Sequence, residues 1–311
     1  MLIPKLFQIY CTLLGGGTIG WLLGRWASPQ LPIILGRVLF WVGVPLSVFV
    51  FLRQTRLEGA VWAAGGVAWW GSAVALLAVK LWLRRGDRGW SWGTQGTAMI
   101  GVAFGNTGYL GLPIALTLFG QTGFAWALFY DLLGTTLGAY GGGAWLAQRY
   151  SQRQNPTATP AHPIANLGSA VINPTLVAFG GALLYRQPFP EPVEVGLSAI
   201  AWGSIMLALL LIGIRLSEIQ SLKQPTRILG ILLGKMLLLP MLVWLLTRAL
   251  PLPAVAKQIL VLQSAMPPAF ATIVLTENYQ LDPELAVSLV AGGCICLLVT
   301  LPLWLLVCGY G

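Results

Sequence analysis

The sequence predicts an all-α integral membrane protein of about ten transmembrane helices, arranged as a 5+5 inverted repeat. Three observations carry this. Apolar stretches of membrane-spanning length recur from one end of the chain to the other. Charged residues make up only 9% of the 311 residues against 57% hydrophobic, too few to cover the surface of a soluble domain. Two of the apolar stretches, the fourth of each half, are broken in the middle by Gly, Asn and Pro.

The spans follow in order, with about 20 residues as the ruler. The first covers roughly residues 3–24 and reads as the first helix of the mature chain, since it is long enough to span the membrane and has only Lys5 as a basic n-region. The second and third cover roughly 31–52 and 59–83, and the basic loop Arg84-Arg85-Gly86-Asp87-Arg88 follows. The fourth, roughly 94–120, is interrupted, and the fifth covers roughly 123–147. A polar connector, Gln148 to Pro163, reads as a linker between the repeats 1–147 and 164–311. The remaining spans lie near 165–185, 191–216, 225–250, 254–277 (interrupted at Pro267-Pro268) and 284–308. Five spans per half is an odd number, so the second half must be inverted relative to the first.

The net charge of +9 does not imply nucleic-acid binding. Lys and Arg stand singly or in small groups between apolar stretches, as topology determinants do. One side collects ten of them, among them Arg84, Arg149, Arg153, Arg215 and Arg227, and the other six, including Arg53, Arg186 and Arg248. That bias puts the linker in the cytoplasm and both termini outside the cell (inner or plasma) membrane. Cys11, Cys294, Cys296 and Cys308 form no CxxC pair and read as small apolar residues rather than metal ligands. No metal or cofactor is implied. The Gly16, Gly20, Gly24 row and the Gly141-Gly142-Gly143 cluster read as packing surfaces. Pro45 and Asn173-Pro174 read as bends, and His162 as a solvated linker residue.

The candidate site lies at the two breaks. The first contains Gly105, Asn106, Thr107, Gly108, Tyr109 and Pro113; the second contains Gln263, Ser264, Pro267 and Pro268. Unwound backbone facing lipid costs several kcal/mol, so such segments are expected to open onto a polar cavity. Half-helix N-termini there carry partial positive charge and can hold an anion without a buried cation. The competing reading is a pair of proline kinks with glycines for close packing. Asp131, at mid-depth in the fifth span, is the one carboxylate well inside an apolar stretch. It could couple transport to protons or make a structural hydrogen bond. Lys235 is its cationic counterpart in the eighth span, able to pair with Asp131, attract an anion or satisfy freed carbonyls.

The run from Gly105 to Pro113, then Leu118-Phe119-Gly120 and Tyr130-Asp131, resembles the bacterial auxin efflux carrier family, relatives of the plant PIN carriers. Asn173-Pro174, Ile212-Gly213 with Arg215-Leu216, Lys235 with Pro240, and Ala265-Met266-Pro267 extend the resemblance over essentially the whole chain. It implies a scaffold domain beside a transport domain in which two broken helices cross and an organic-anion substrate at that crossover; members of the family are often homodimers. Asn106, Thr107 and Pro113 match the first crossover helix and Pro267 the second. Two departures stand out. The run Ile205 to Leu209 lacks a proline that many members carry, and the long loop of the best-known plant carriers is absent, so regulation by loop phosphorylation is not expected.

The leading expectation is therefore a secondary carrier for a small organic anion working by alternating access. A cation–proton antiporter using Asp131 is the alternative, weakened because Tyr130 precedes it where a second polar ligand is usual. An intramembrane aspartyl protease would need a second intramembrane aspartate, and the sequence has neither that nor GxGD. Serine and zinc hydrolases fail on the single histidine and the absence of HExxH, so no enzyme is expected.

Overall fold

A computed structural model describes residues 2–28, 30–55, 57, 59–84, 89–156, 173–217 and 225–310. Residues 85–88 of the basic loop, residues 157–163 of the linker with His162, and Arg56 and Lys223 lie outside the described residues.

Twelve helical elements lie among the described residues. They are α1 (Leu2–Gly24), α2 (Leu31–Gln54), α3 (Gly59–Arg84), α4 (Trp92–Ala103), α5 (Thr107–Gly120) and α6 (121–154). After residue 172 come α7 (Pro174–Leu184), α8 (Glu191–Ser217), α9 (Pro225–Ala249), α10 (Ala254–Ser264), α11 (Phe270–Asn278) and α12 (Pro283–Val307). No strand occurs among the described residues. The helices α2, α3, α8, α9 and α12 are long and apolar enough to cross a membrane by length and composition. The chain is a multi-pass membrane protein, and helices are its only open solution, because a strand edge in lipid would leave backbone groups unpaired.

Three observed elements differ from the sequence reading. α6 runs on to Gln154, so the expected linker begins as helix. Gln148 and Tyr150 are buried against the protein, and that packing outweighs the polar composition. Asn173 does not bend a helix; it is extended and caps α7, its Oδ1 accepting from Thr175 N at 2.9 Å with Pro174 in the first turn. Gly141 and Gly142 pack on nothing within 4 Å of a built Cβ; only Gly143 of that cluster does so, against the Phe104 ring.

The helices sort into two groups. α1 packs along α8, and α2 along α7 and α8. The others, α3 to α6 and α9 to α12, pack on one another. The α1–α8 crossing follows from small residues: a Cβ on Gly20 would fall 2.2 Å from Leu210 O, and one on Gly213 would fall 2.1 Å from Gly17 O. With lipid on the outside, close backbone contact of this kind drives helix association.

At one end Arg53, 6% exposed, pairs with Glu194 and donates to Gln187 O at 2.5 Å, which ties α2 to α8. Arg186 donates to Thr55 O nearby. At the other end Arg149, Arg153 and Arg227 lie over the rings of Trp145, Trp92 and Trp90. Such Trp–Arg pairs suit a membrane interface, where the stem and ring stay apolar and the charge reaches water.

Three internal irregularities of these helices have a hydrogen-bonding partner on another element. Pro240 has no N–H for Met236 O, and Trp304 Nε1 of α12 donates to that carbonyl at 2.8 Å. Pro302 likewise frees Leu298 O, which accepts from Tyr10 of α1 at 2.7 Å. Five-residue π-helical turns, Leu39–Gly43, Thr107–Gly111 and Gly234–Leu238, precede Pro45, Pro113 and Pro240 and give each ring room. Gly120, at φ 66°, turns α5 into α6 with no loop; a side chain there would be strained, and Leu118 O beside it accepts from Tyr310.

Gly20→Val should lower the thermal unfolding midpoint of the detergent-solubilised chain, at a cost of about 1–3 kcal/mol for overpacking. Gly142→Ala, facing open space, should leave it unchanged or raise it. Equal midpoints for the two variants would show that the α1–α8 contact contributes nothing.

Candidate functional site

The site is built where α4–α5 and α10–α11 break. In each case a helix stops, a few extended residues follow, and a second helix begins. The two breaks lie against each other as an isolated antiparallel bridge, Gly105 opposite Pro268. Asn106 N donates to Pro267 O at 2.7 Å, and Ala269 N donates to Phe104 O at 3.0 Å. The residue types explain the pairing. Pro267 and Pro268 bring no N–H into the break, so their segment has acceptors and little demand for them. The Gly105-Asn106 segment supplies the donor. Gly105 lets the partner backbone approach, and Gly293 of α12 makes a seat for the prolines: a Cβ there would lie 2.7 Å from Pro267 Cβ.

The sequence-predicted residues come together, with distinct environments. Asn106 is 3% exposed; its Oδ1 caps α5 by accepting from Tyr109 N at 3.3 Å, and its Nδ2 has no protein partner. Gln263 is fully buried at the end of α10, and neither amide atom has a partner. It is pressed so closely on α5 that a Cβ on Gly111 would fall 2.1 Å from Gln263 Oε1. Ser264 is buried but donates to Val261 O of its own helix at 2.7 Å. Tyr109 packs edge-to-face on Phe270, the first residue of α11, with ring centroids 5.9 Å apart. The N-termini of α5 and α11 therefore sit side by side, and their first N–H groups have no preceding carbonyl to bond.

The two buried charges flank the breaks without forming an ion pair with each other. Asp131 Oδ1 accepts from Thr107 Oγ1 at 2.5 Å, and its carboxylate lies 3.4 Å from where a Gly108 Cβ would be. A Cβ on Gly105 would lie 3.2 Å from Lys235 Nζ and 3.3 Å from Met266 O. Of the roles open to these groups in the sequence, mutual pairing is thus removed. Lys235 is carried to this position by the π-helical turn Gly234–Leu238.

The expectation that the breaks open onto a polar cavity is corrected. Asn106, Thr107, Gln263 and Ser264 are all buried, and the space beside Gly108, Tyr109 and Pro113 amounts to about 30 Å³. Two backbone N–H groups of the breaks, those of Asn106 and Ala269, are satisfied by carbonyls of the facing segment inside protein. That space lies between the two helix groups, with Ser47, Phe51 and Ser204 on its far wall. Sequence reasoning missed Gly111 and Gly293 as the surfaces that receive Gln263 and the prolines. Their signal, small residues at helical spacing from a break, is shared with many packing glycines.

A family model described as membrane transport protein matches residues 164–305. An uncharacterized transporter of Methanocaldococcus jannaschii is 28% identical over 191 residues, which is 59% of this chain and 59% of the relative's length. An uncharacterized transporter of Methanothermobacter thermautotrophicus is 26% identical over 285 residues, 87% of each chain.

Gly111→Ala should displace the Gln263 amide and lower thermal stability by about 1–3 kcal/mol. Gly111→Ala combined with Gln263→Ala should recover most of that loss. Additive destabilisation in the double variant would mean that the two residues do not press on each other in solution.

Proposed function

As this chain belongs to the auxin efflux carrier family of membrane transport proteins, we propose that it is a secondary carrier for a small organic anion, a carboxylate or auxin-like acid. The observation that carries this reading is the set of unspent polar groups at the paired breaks. Asn106 Nδ2 and the Gln263 amide are buried without partners. Two helix N-termini converge there, and Lys235 Nζ stands on one side. A buried polar group without a partner costs about 1–3 kcal/mol, and a bound carboxylate would offset that cost while binding to N–H donors and helix dipoles.

In this reading α4–α5 and α10–α11 are the two crossover helices of a 5+5 inverted repeat, residues 1–147 and 164–311 joined by the 148–163 linker. The group α1, α2, α7, α8 acts as scaffold and the remaining helices move against it in alternating access. The sorting of contacts supports this division: the first two spans of each half go to one group and the last three to the other. The gathering of Arg149, Arg153 and Arg227 at one end supports a cytoplasmic linker and extracytoplasmic termini in a cell membrane.

A second reading, cation–proton antiport through Asp131, is favoured by one feature. The Asp131 carboxylate is buried and bonded to Thr107, the residue that starts α5. A proton or cation arriving there would act directly on the break.

Charge movement in proteoliposomes separates the readings. Jumps onto malate, malonate, citrate or indole-3-acetate should give a saturable signal with at least one acid. Asn106→Ala, inserted and folded as wild type, should weaken it by about 10–100-fold, the loss of one charge-assisted hydrogen bond. Wild-type signals in that variant would remove the crossing from the account. If Asp131 couples protons, Asp131→Asn should flatten the pH profile of transport; an unaltered profile leaves Asp131 a structural role. Silence to every acid, with an Asp131-dependent response to Na⁺ or a pH step, would establish the antiporter instead.

A further inference from the structure

A cleft of about 470 Å³ lies on the outside of the second helix group, between α3 and α9, away from the paired breaks. Ala78 and Trp82 form one wall, Gly230, Gly234 and Leu238 the other, and Val102 of α4 the floor. Apart from Trp82, no lining side chain carries a polar group. The mouth is different. Trp82 packs edge-to-face on Trp90 at 5.3 Å, and the Arg227 guanidinium lies 4.8 Å over the Trp90 ring. Arg227 stands one turn before Gly230, on the same stripe of α9, so the cation caps the apolar track. From Gly230 to Leu242 the helix rises about 18 Å, close to the roughly 15 Å depth of one hydrocarbon leaflet.

We infer that this cleft holds one acyl chain of an anionic phospholipid whose phosphate sits against Arg227. The assignment follows from charge complementarity at the mouth, from the interfacial Trp pair and from the match of track length to leaflet depth. It does not rest on the anion-carrier reading. Gly234 and Leu238 belong to the π-helical turn that carries Lys235, and Val102 precedes the last residue of α4. The lipid chain therefore braces two supports of the paired breaks at once.

Native mass spectrometry of the full chain in detergent, titrated with phosphatidylglycerol or with phosphatidylcholine, tests this. One phosphatidylglycerol should be retained under activation that strips phosphatidylcholine. Arg227→Gln should reduce that preference about fivefold, the effect of one basic residue at a lipid surface. Gly230→Phe, which fills the track, should abolish the retained lipid; Ala78→Phe tests the same space from the opposite wall should Gly230→Phe fail to fold. Equal retention of the two lipids by wild type, or undiminished phosphatidylglycerol in a folded cleft-filling variant, would overturn the assignment.

Discussion

At the crossing of the two helix breaks, Asn106 N finds Pro267 O and Ala269 N finds Phe104 O. Each segment would be prohibitively costly alone in an apolar interior, because an unpaired buried backbone group has nothing to bond. Together they close most of the deficit. The rest of the second helix group is arranged around this pairing. α12 presents Gly293 to the prolines, α6 presents Gly138 and Gly143 to the Phe104 ring, and α9 brings Lys235 against Gly105. Moving either break without the other would expose backbone, so the two are expected to move as one body.

The same rule governs the smaller irregularities. At Pro240, Pro302 and Gly120 another element donates to the freed or neighbouring carbonyl: Trp304 to Met236 O, Tyr10 to Leu298 O, Tyr310 to Leu118 O. Tyr and Trp suit this role, since the ring packs as an apolar body and one polar atom reaches the target. The side-chain amides of Asn106 and Gln263 break the rule. Asn106 Nδ2 and both amide atoms of Gln263 are buried without a protein partner.

The two groups are tied within themselves by different means. In the first, backbone-to-backbone contact of Gly20 and Gly213 and the Arg53–Glu194 pair hold α1, α2 and α8. In the second, helix capping reaches across elements: Asp282 caps α12 and also accepts from Thr94 of α4 at 2.8 Å. Between them lie mostly apolar side chains, the small space beside Tyr109 and the hydrogen bond from Tyr10 of α1 to Leu298 O of α12.

Span length, apolar composition and the two interruptions were legible in the sequence because each is a local property: a helix needs about 20 apolar residues to cross lipid, and prolines end helices wherever they stand. The residues of the breaks were legible for the same reason. Which break meets which, and with what, was decided only by tertiary structure. Pro240 announces that Met236 O needs a donor, but only packing selects Trp304, 68 residues away. Asp131 and Lys235 were visible as buried charges. Their placement on separate sides of the crossing, unpaired with each other, depends on helix rotations that an apolar sequence leaves undetermined, since lipid-facing and core-facing positions carry the same residue types.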